Sequence, residues 1–214
     1  MTKAKQRKKT IEHEDLNKLF EYVEKPSKLR TFTGSRNAAI LRILEQTGAR
    51  AGEVLSVHST GLRYSDTGFI FLTIPCEEGC KTGSREIPLM ATYPDGKETP
   101  AGLALRRWQR KRETWLQSKW HGADLSRYLF PTSRGGKIAS TNFFTWLSNA
   151  AKSSGIDYPV TSHMFRHTRA TELVKQGMPL PVLQNLLGHK SINTTMIYTH
   201  VDAQDVASYL MESR

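Results

Sequence analysis

The 214 residues carry 31 Lys and Arg against 20 Asp and Glu, a formal net charge of +11, and 38% of them are hydrophobic. That supplies one substantial core, fits one large domain better than two, and favours DNA or RNA as partner over a small neutral ligand, because a basic surface gains from counterion release and steering. Two cysteines, Cys76 and Cys80, exclude a secreted disulfide framework, and no second Cys pair or ordered His set completes a zinc site.

In chain order, Met1 to Thr10 is a Lys/Arg run with no apolar segment behind it, so it reads as a basic flexible leader and not as a signal peptide. No apolar run reaches the ~18 residues of a membrane span, and a soluble cytoplasmic protein is expected. Thr10 is placed to cap a first helix with Glu12 and Glu14 in its opening turn and Leu16, Leu19, Phe20 and Val23 on its apolar face. Ser35 opens a second helix, with Ala39, Ile40, Ile43 and Leu44 on one side, ending near Gly48. Glu53, Val54 and Leu55 begin a short third, which puts Arg50 at a helix-to-helix junction.

From Gly68 to Leu89 the pattern turns to two or three short strands around Cys80-Lys81-Thr82-Gly83-Ser84, with Lys81 at or beside the hairpin tip. Thr99-Pro100 is a cap followed by proline at the first helical position, opening a long helix through Trp120 with Leu105, Trp108 and Trp115 buried. Its Arg106, Arg107, Arg110, Lys111 and Arg112 are expected on a solvated or DNA-facing side. A loop over 121–140 leads to a helix whose Phe143, Phe144, Trp146 and Leu147 are core candidates. Helices then follow over Ser162 to Lys175, Leu180 to Leu187 and Ser191 to about Thr199, the first two closing on Gly177 and Gly188, and a last one follows Asp202. The predicted organisation is a leader over 1–10, one domain over 11–201 and a C-terminal helix over 202–214.

The chemistry concentrates late in the chain. His163-Met164-Phe165-Arg166-His167 lies on a helix, where residues three apart share a face. It is followed by Leu187-Gly188-His189-Lys190 and by Thr194-Thr195-Met196-Ile197-Tyr198-Thr199-His200-Val201. These boxes, in this order and spacing, closely resemble the C-terminal motifs of the tyrosine recombinases of phage-integrase type. Upstream, Thr47-Gly48-Ala49-Arg50-Ala51-Gly52-Glu53 is similar to that family's first arginine box, and Cys80-Lys81-Thr82-Gly83 to its lysine hairpin. The likeness runs from about residue 11 to about residue 202. Gly52 and Arg169 depart from the family's usual residues.

The resemblance implies a mainly α fold with a small antiparallel β-hairpin or sheet, an α+β arrangement. It implies cleavage and rejoining of DNA strands through a 3′-phosphotyrosyl intermediate, as in integration, excision or inversion of a DNA element. Tyr198 is then the nucleophile, Arg50 and Arg166 clamp the phosphate, Lys81 is the general acid, and His163 and His189 handle protons or hydrogen bonds. Arg85 or Lys97 is a weaker substitute for Lys81, and Glu53 either orients Arg50 or is an unrelated surface carboxylate.

Physical chemistry fits each of these roles. Charge gathering on the nonbridging oxygens suits two bidentate guanidiniums, which can stand in for a metal ion, so no cofactor is expected. A tyrosine of pKa about 10 needs neighbouring positive charge or a base to lose its proton. The expected partner is double-stranded DNA, with no membrane. By the same resemblance the chain is a tetramer on DNA and a monomer when free, with accessory DNA-bending proteins, and the helix after Asp202 exchanges between protomers or folds back. Many members carry a further N-terminal helical domain for which 214 residues leave no room, so an isolated catalytic domain and a compact single-domain recombinase stay open. The rivals are a noncatalytic DNA-binding regulator on the same fold and strand relaxation of the type IB topoisomerase kind.

Overall fold

Helix α3, Phe32–Thr47, is buried around most of its girth, with Ala38, Ala39, Ile40, Leu41, Ile43 and Leu44 all in the core. A helix buried on most of its sides must be surrounded, and the other elements are arranged about it, with its buried polar residues such as Arg36 and Asn37 hydrogen-bonded. The computed structural model describes residues 9–75, 84–120, 126–189, 191 and 193–196. The elements are α1 His13–Val23, α2 Pro26–Leu29, α3, α4 Ala51–Ser56, β1 Leu62–Tyr64, β2 Phe69–Ile74, β3 Arg85–Met90, α5 Pro100–Trp120, α6 Ser140–Ser153, α7 Ser162–Lys175, α8 Leu180–Leu187 and α9 Asn193–Met196. The fold is mainly helical with one small antiparallel sheet, as expected.

Three starts differ from the sequence reading. Thr10 does not cap α1: Glu12 takes that position without a side-chain cap, and the buried Ile11 precedes it, five residues before the buried Leu16 at the spacing of a hydrophobic staple. The Ile11 N–H donates to Thr168 Oγ1 at 2.8 Å, tying the entry of α1 to α7. Helix α3 begins three residues before Ser35, because Thr31 Oγ1 accepts the Gly34 N–H at 2.9 Å. The turn of α2, opened by Pro26, was not anticipated.

The sheet runs β1-β2-β3, all antiparallel, with Ile70 opposite Leu89, Leu72 opposite Ile87 and Ile74 opposite Arg85. The alternation of β2 buries Ile70, Leu72 and Ile74 against the core. Pro88 sits in β3, which is an edge strand, where a missing N–H costs no ladder bond. Residues 76–83, which include Cys76, Cys80 and Lys81, lie outside the described residues.

Helix α5 begins as its sequence predicts: Thr99 Oγ1 accepts the Gly102 N–H at 3.0 Å, and Pro100 is the first helical residue. Trp108, fully buried, donates Nε1–H to the Leu129 carbonyl at 2.8 Å and meets the Phe32 ring edge-on at 4.9 Å. Arg112 is not on a solvated face. It is buried, and its guanidinium donates to the Ser126 and Tyr128 carbonyls. Arg36 does the same for Pro131 at 2.7 Å, and burial lowers its pKa to about 10. Two buried arginines thus supply donors that the irregular segment after α5 cannot find in a ladder. In α6, Phe143 and Leu147 are buried and Trp146 partly so, but Phe144 is exposed, because the fully buried side of that helix is made by Phe143, Leu147, Ala150 and Ala151. Helices α7 and α8 have the predicted bounds, and among the described residues no helix is long and apolar enough to cross a membrane.

Gly52, one of the two departures, is exposed, and a Cβ built on it meets nothing within 4 Å. Its conformation requires no glycine, so Gly52→Ala is expected to stabilise the fold by about 0.5–1 kcal/mol through the reduced freedom of the unfolded chain. Urea unfolding checks this, and a loss of stability would show that the α4 turn needs glycine after all.

Candidate active site

Two helices end alike. Gly48 after α3 and Gly188 after α8 both adopt the left-handed conformation, each with φ 65°. The Gly48 N–H closes on Leu44, while Gly188 and His189 close on Asn185 and Gln184. The later carbonyls of each helix then point outward with the negative end of the helix dipole behind them, a place that favours cations. Arginines fill it. Arg166, on α7 and only 5% exposed, donates Nη1–H to the Gly48 carbonyl at 3.1 Å and Nη2–H to the Leu187 carbonyl at 2.7 Å. One guanidinium thus joins the ends of two helices. Arg169, the second departure, donates Nε–H to the Gln46 carbonyl at 2.7 Å, which explains a cation where an apolar residue would leave that carbonyl open.

Arg50 is the N-cap of α4, immediately beyond Gly48-Ala49. Its backbone N–H donates to Glu53 Oε2 at 2.8 Å and its Nη1–H to Glu53 Oε1 at 3.2 Å, while its side chain stays 37% exposed. Glu53, 8% exposed, is therefore no unrelated surface carboxylate: it orients Arg50. It also receives a second guanidinium, since Arg85 Nη2–H donates to Glu53 Oε2 at 2.9 Å. Arg85 reaches on to the Leu186 carbonyl at 2.7 Å and the Leu187 carbonyl at 3.4 Å. A Cβ at Gly188 would lie 2.8 Å from Arg85 Nε, so glycine there answers both the backbone and the guanidinium packed against it. Tied down at both ends, Arg85 is a brace and not the mobile proton donor that the sequence left open. Lys97, the other substitute, pairs with Asp95 on the surface at 3.0 Å.

His189 follows Gly188 and is buried, its Nδ1 2.9 Å from the hydroxyl of the buried Thr195. Burial first, then the charges of Arg166, Arg50 and Arg85, push its pKa down to about 4. Those same charges locate Arg50, Arg166 and His189 in one neighbourhood. His163 is exposed on α7, and its charge, like that of Arg166, acts on His167. Burial lowers the His167 pKa, helped by the charges of His163, Lys9 and Arg166. Lys81 and Tyr198 lie outside the described residues. The sequence reading assigned Thr195 no role, although it stands in the quoted box, and offered Arg85 only as a proton donor. What makes each matter, a ring and a carboxylate brought near by folding, has no signature in local spacing.

The cluster can hold a doubly bonded anion. It offers an oriented, partly exposed guanidinium at Arg50, a buried one at Arg166, and a neutral imidazole that can exchange hydrogen bonds without adding charge. Among the described residues no three His, Cys, Asp or Glu side chains form a metal-binding group.

His189 also links this site to stability. Its pKa of about 4 in the fold lies below the ~6.5 of an unfolded chain, so on acidification the unfolded state takes up the proton first. His189 then contributes its full stability above about pH 6.5, loses it as the pH falls toward about 4, and changes nothing further below. His167 acts in the same direction. Urea unfolding between pH 4 and 7 is expected to show this slope, and His189→Asn to flatten it in part. An imidazole titrating near 6.5 by NMR would contradict the burial.

The profile of the phage integrase family matches residues 9–205. A tyrosine recombinase XerC of Erythrobacter litoralis is 32% identical over 205 residues, covering 95% of this chain and 59% of the relative. A tyrosine recombinase XerD of Listeria monocytogenes is 33% identical over 193 residues, covering 90% and 58%. The chain thus spans rather more than half the length of the curated relatives it matches. Among solved structures, XerH site-specific recombinase bound to difH substrate superposes with a TM-score of 0.72 at 22% identity, over 97% of this chain and 54% of that one. XerA recombinase gives 0.69 at 21%, over 100% and 66%. At those identities the structures speak to the fold, and it is the same fold. With its arginine box, HxxRH helix and LGH turn folded around one cationic cluster, and the profile matched over nearly its whole length, the chain belongs to the phage integrase family.

Proposed function

We propose that this chain is the catalytic part of a site-specific DNA recombinase. The Tyr198 hydroxyl attacks a scissile phosphate, forms a 3′-phosphotyrosyl bond and releases a 5′-hydroxyl; a 5′-hydroxyl of another strand then reverses the step on a new partner. The observation that carries this reading is the convergence of Arg50, Arg166 and His189 on the paired ends of α3 and α8. Two guanidiniums held by protein carbonyls and a carboxylate are preorganised for the nonbridging oxygens, and preorganised charge is the largest contribution to stabilising such a transition state. His189, neutral near pH 7, serves as a hydrogen-bonding group and not as a third cation. Lys81 protonates the leaving 5′-hydroxyl, and the exposed His163 helps remove the tyrosine proton. The bond energy stays in the phosphotyrosyl link, so neither nucleotide nor metal is consumed.

The names of the relatives and the DNA-bound neighbours support double-stranded DNA as the partner. On this reading the unit over 11–201 is catalytic and the basic residues 1–10 touch the phosphate backbone or stay free. The segment 202–214 is exchanged between protomers of a tetramer that assembles on two duplexes, with accessory DNA-bending proteins setting the outcome. The protein works in the cytoplasm, where its DNA is.

The test is formation of an SDS-resistant protein–DNA adduct on nicked duplexes taken from DNA flanking the gene, with EDTA present. The parent protein is expected to form the adduct and Tyr198→Phe to form none. An adduct that survives the substitution would overturn Tyr198, and one that requires a divalent ion would overturn the metal-free chemistry.

A further inference from the structure

The charges around Glu53 do not balance in pairs. Its carboxylate is buried and touches two guanidiniums, Arg50 at 3.2 Å and Arg85 at 2.9 Å. With Arg50 alone, the pair would be neutral, and an incoming phosphate would meet an arginine whose charge is already answered. With Arg85 on the second oxygen, the triad keeps one net positive charge. The exposure pattern says where that charge is offered: the Arg50 side chain is 37% exposed and the Arg85 side chain 13%.

Arg85 is also costly to keep. Its Nε is buried with no hydrogen-bond partner among the described residues, and it stands against a glycine that no larger residue could replace. A residue selected only to join β3 to α8 would not need a buried orphan donor, because a neutral donor could bond the Leu186 carbonyl. A guanidinium at this place has one property that a neutral donor lacks, its charge next to Glu53.

We infer that Arg85 is a positioning residue that compensates Glu53, so that Glu53 can orient Arg50 without cancelling its charge toward the scissile phosphate. The inference rests on the recombinase reading and assigns a further residue to its phosphate clamp. On this inference Arg85 is not itself a phosphate ligand. It acts through Glu53 on Arg50, and through the Leu186 and Leu187 carbonyls on the α8 end from which His189 and the Arg166 contact emerge.

Charge compensation makes a prediction about sign that packing does not. Removing Arg85 leaves Glu53 to neutralise Arg50; removing Glu53 as well restores the net charge. The experiment measures single-turnover adduct formation at saturating protein on the nicked duplex, alongside DNA affinity, for Arg85→Gln, Arg85→Lys, Glu53→Gln and the double variant Glu53→Gln/Arg85→Gln. Arg85→Gln is expected to slow cleavage by roughly tenfold or more with affinity changed by less than about threefold, the pattern of an interaction made chiefly in the transition state. Arg85→Lys, which keeps the charge, is expected to fall less. The double variant is expected to cleave faster than Arg85→Gln alone, which is coupling of opposite sign to two independent losses.

A double variant no faster than Arg85→Gln, or Arg85→Gln at the parent rate, overturns the inference. Should Arg85→Gln fail to fold, the double variant and Arg85→Lys decide: both are expected to fold and cleave, and a folded protein that does not cleave in either case counts against compensation. The parent protein separates the two claims, because its failure to form any adduct would defeat the recombinase reading itself, whereas an active parent with unaffected variants defeats only the role of Arg85.

Discussion

A buried arginine holds the site together. The Arg166 guanidinium lies between the Gly48 and Leu187 carbonyls, and so between the end of α3, which is the centre of the core, and the end of α8, which packs on α7 through a small apolar cluster. Taking a guanidinium out of water is expensive unless its N–H groups are met. Here they are met by main-chain oxygens that helix geometry leaves without partners, with the helix dipoles adding to the attraction. The same contact satisfies two helix ends and fixes a cation where an anion can be received. Structure and chemistry cannot be varied independently at this residue.

The surrounding cations extend that arrangement. Arg169 takes the Gln46 carbonyl, Arg85 the Leu186 carbonyl, and Arg50 begins the next helix. Among the described residues the one fully buried carboxylate is Glu53, and it is shared between Arg50 and Arg85. The depressed pKa of His189 follows from the same excess of positive charge together with burial. Of the histidines in the last boxes that the structure describes, His189, inside the cluster, is therefore held neutral near pH 7, and His167 is pushed in the same direction. A group of guanidiniums that keeps its own imidazole from protonating is built to receive negative charge from elsewhere.

Much of this was legible from the residues alone, and what was legible shares a property: it is written within a few positions. Thr99-Pro100 opened α5, Gly48 and Gly188 closed their helices, the apolar stripe of α1 fell where the 3.6-residue period put it, and α7 has the bounds read from its sequence. What was missed is non-local. Arg112 reads as one more cation on a basic helix, and only the return of the chain at Ser126 and Tyr128 shows that it points inward. Phe144 reads as core beside Phe143, yet α6 buries only one side. Ser35 reads as the start of the second helix, and Thr31, an equally good cap residue, holds that place where α2 packs against α3. At the site, the box residues were found by their order, but Arg85 lies outside every box in the role it fills, and Glu53 could not be weighed until its second partner was known.

The separation of these residues in sequence bears on how the site forms. Gly48, Arg50 and Glu53 come from one stretch, Arg85 from the start of β3, and Arg166, Leu187 and His189 from two helices about a hundred residues further on. No one segment carries two guanidiniums and the carbonyls that hold them, so the cationic cluster exists only when α3, β3, α7 and α8 are packed together. Before that, each arginine is solvated and no anion is offered more than a single charge. Packing and the cluster's charge then arise in the same step, and anything that loosens the joint between the α3 and α8 ends would reach the cationic cluster before it unfolded the core around Trp108 and Leu41.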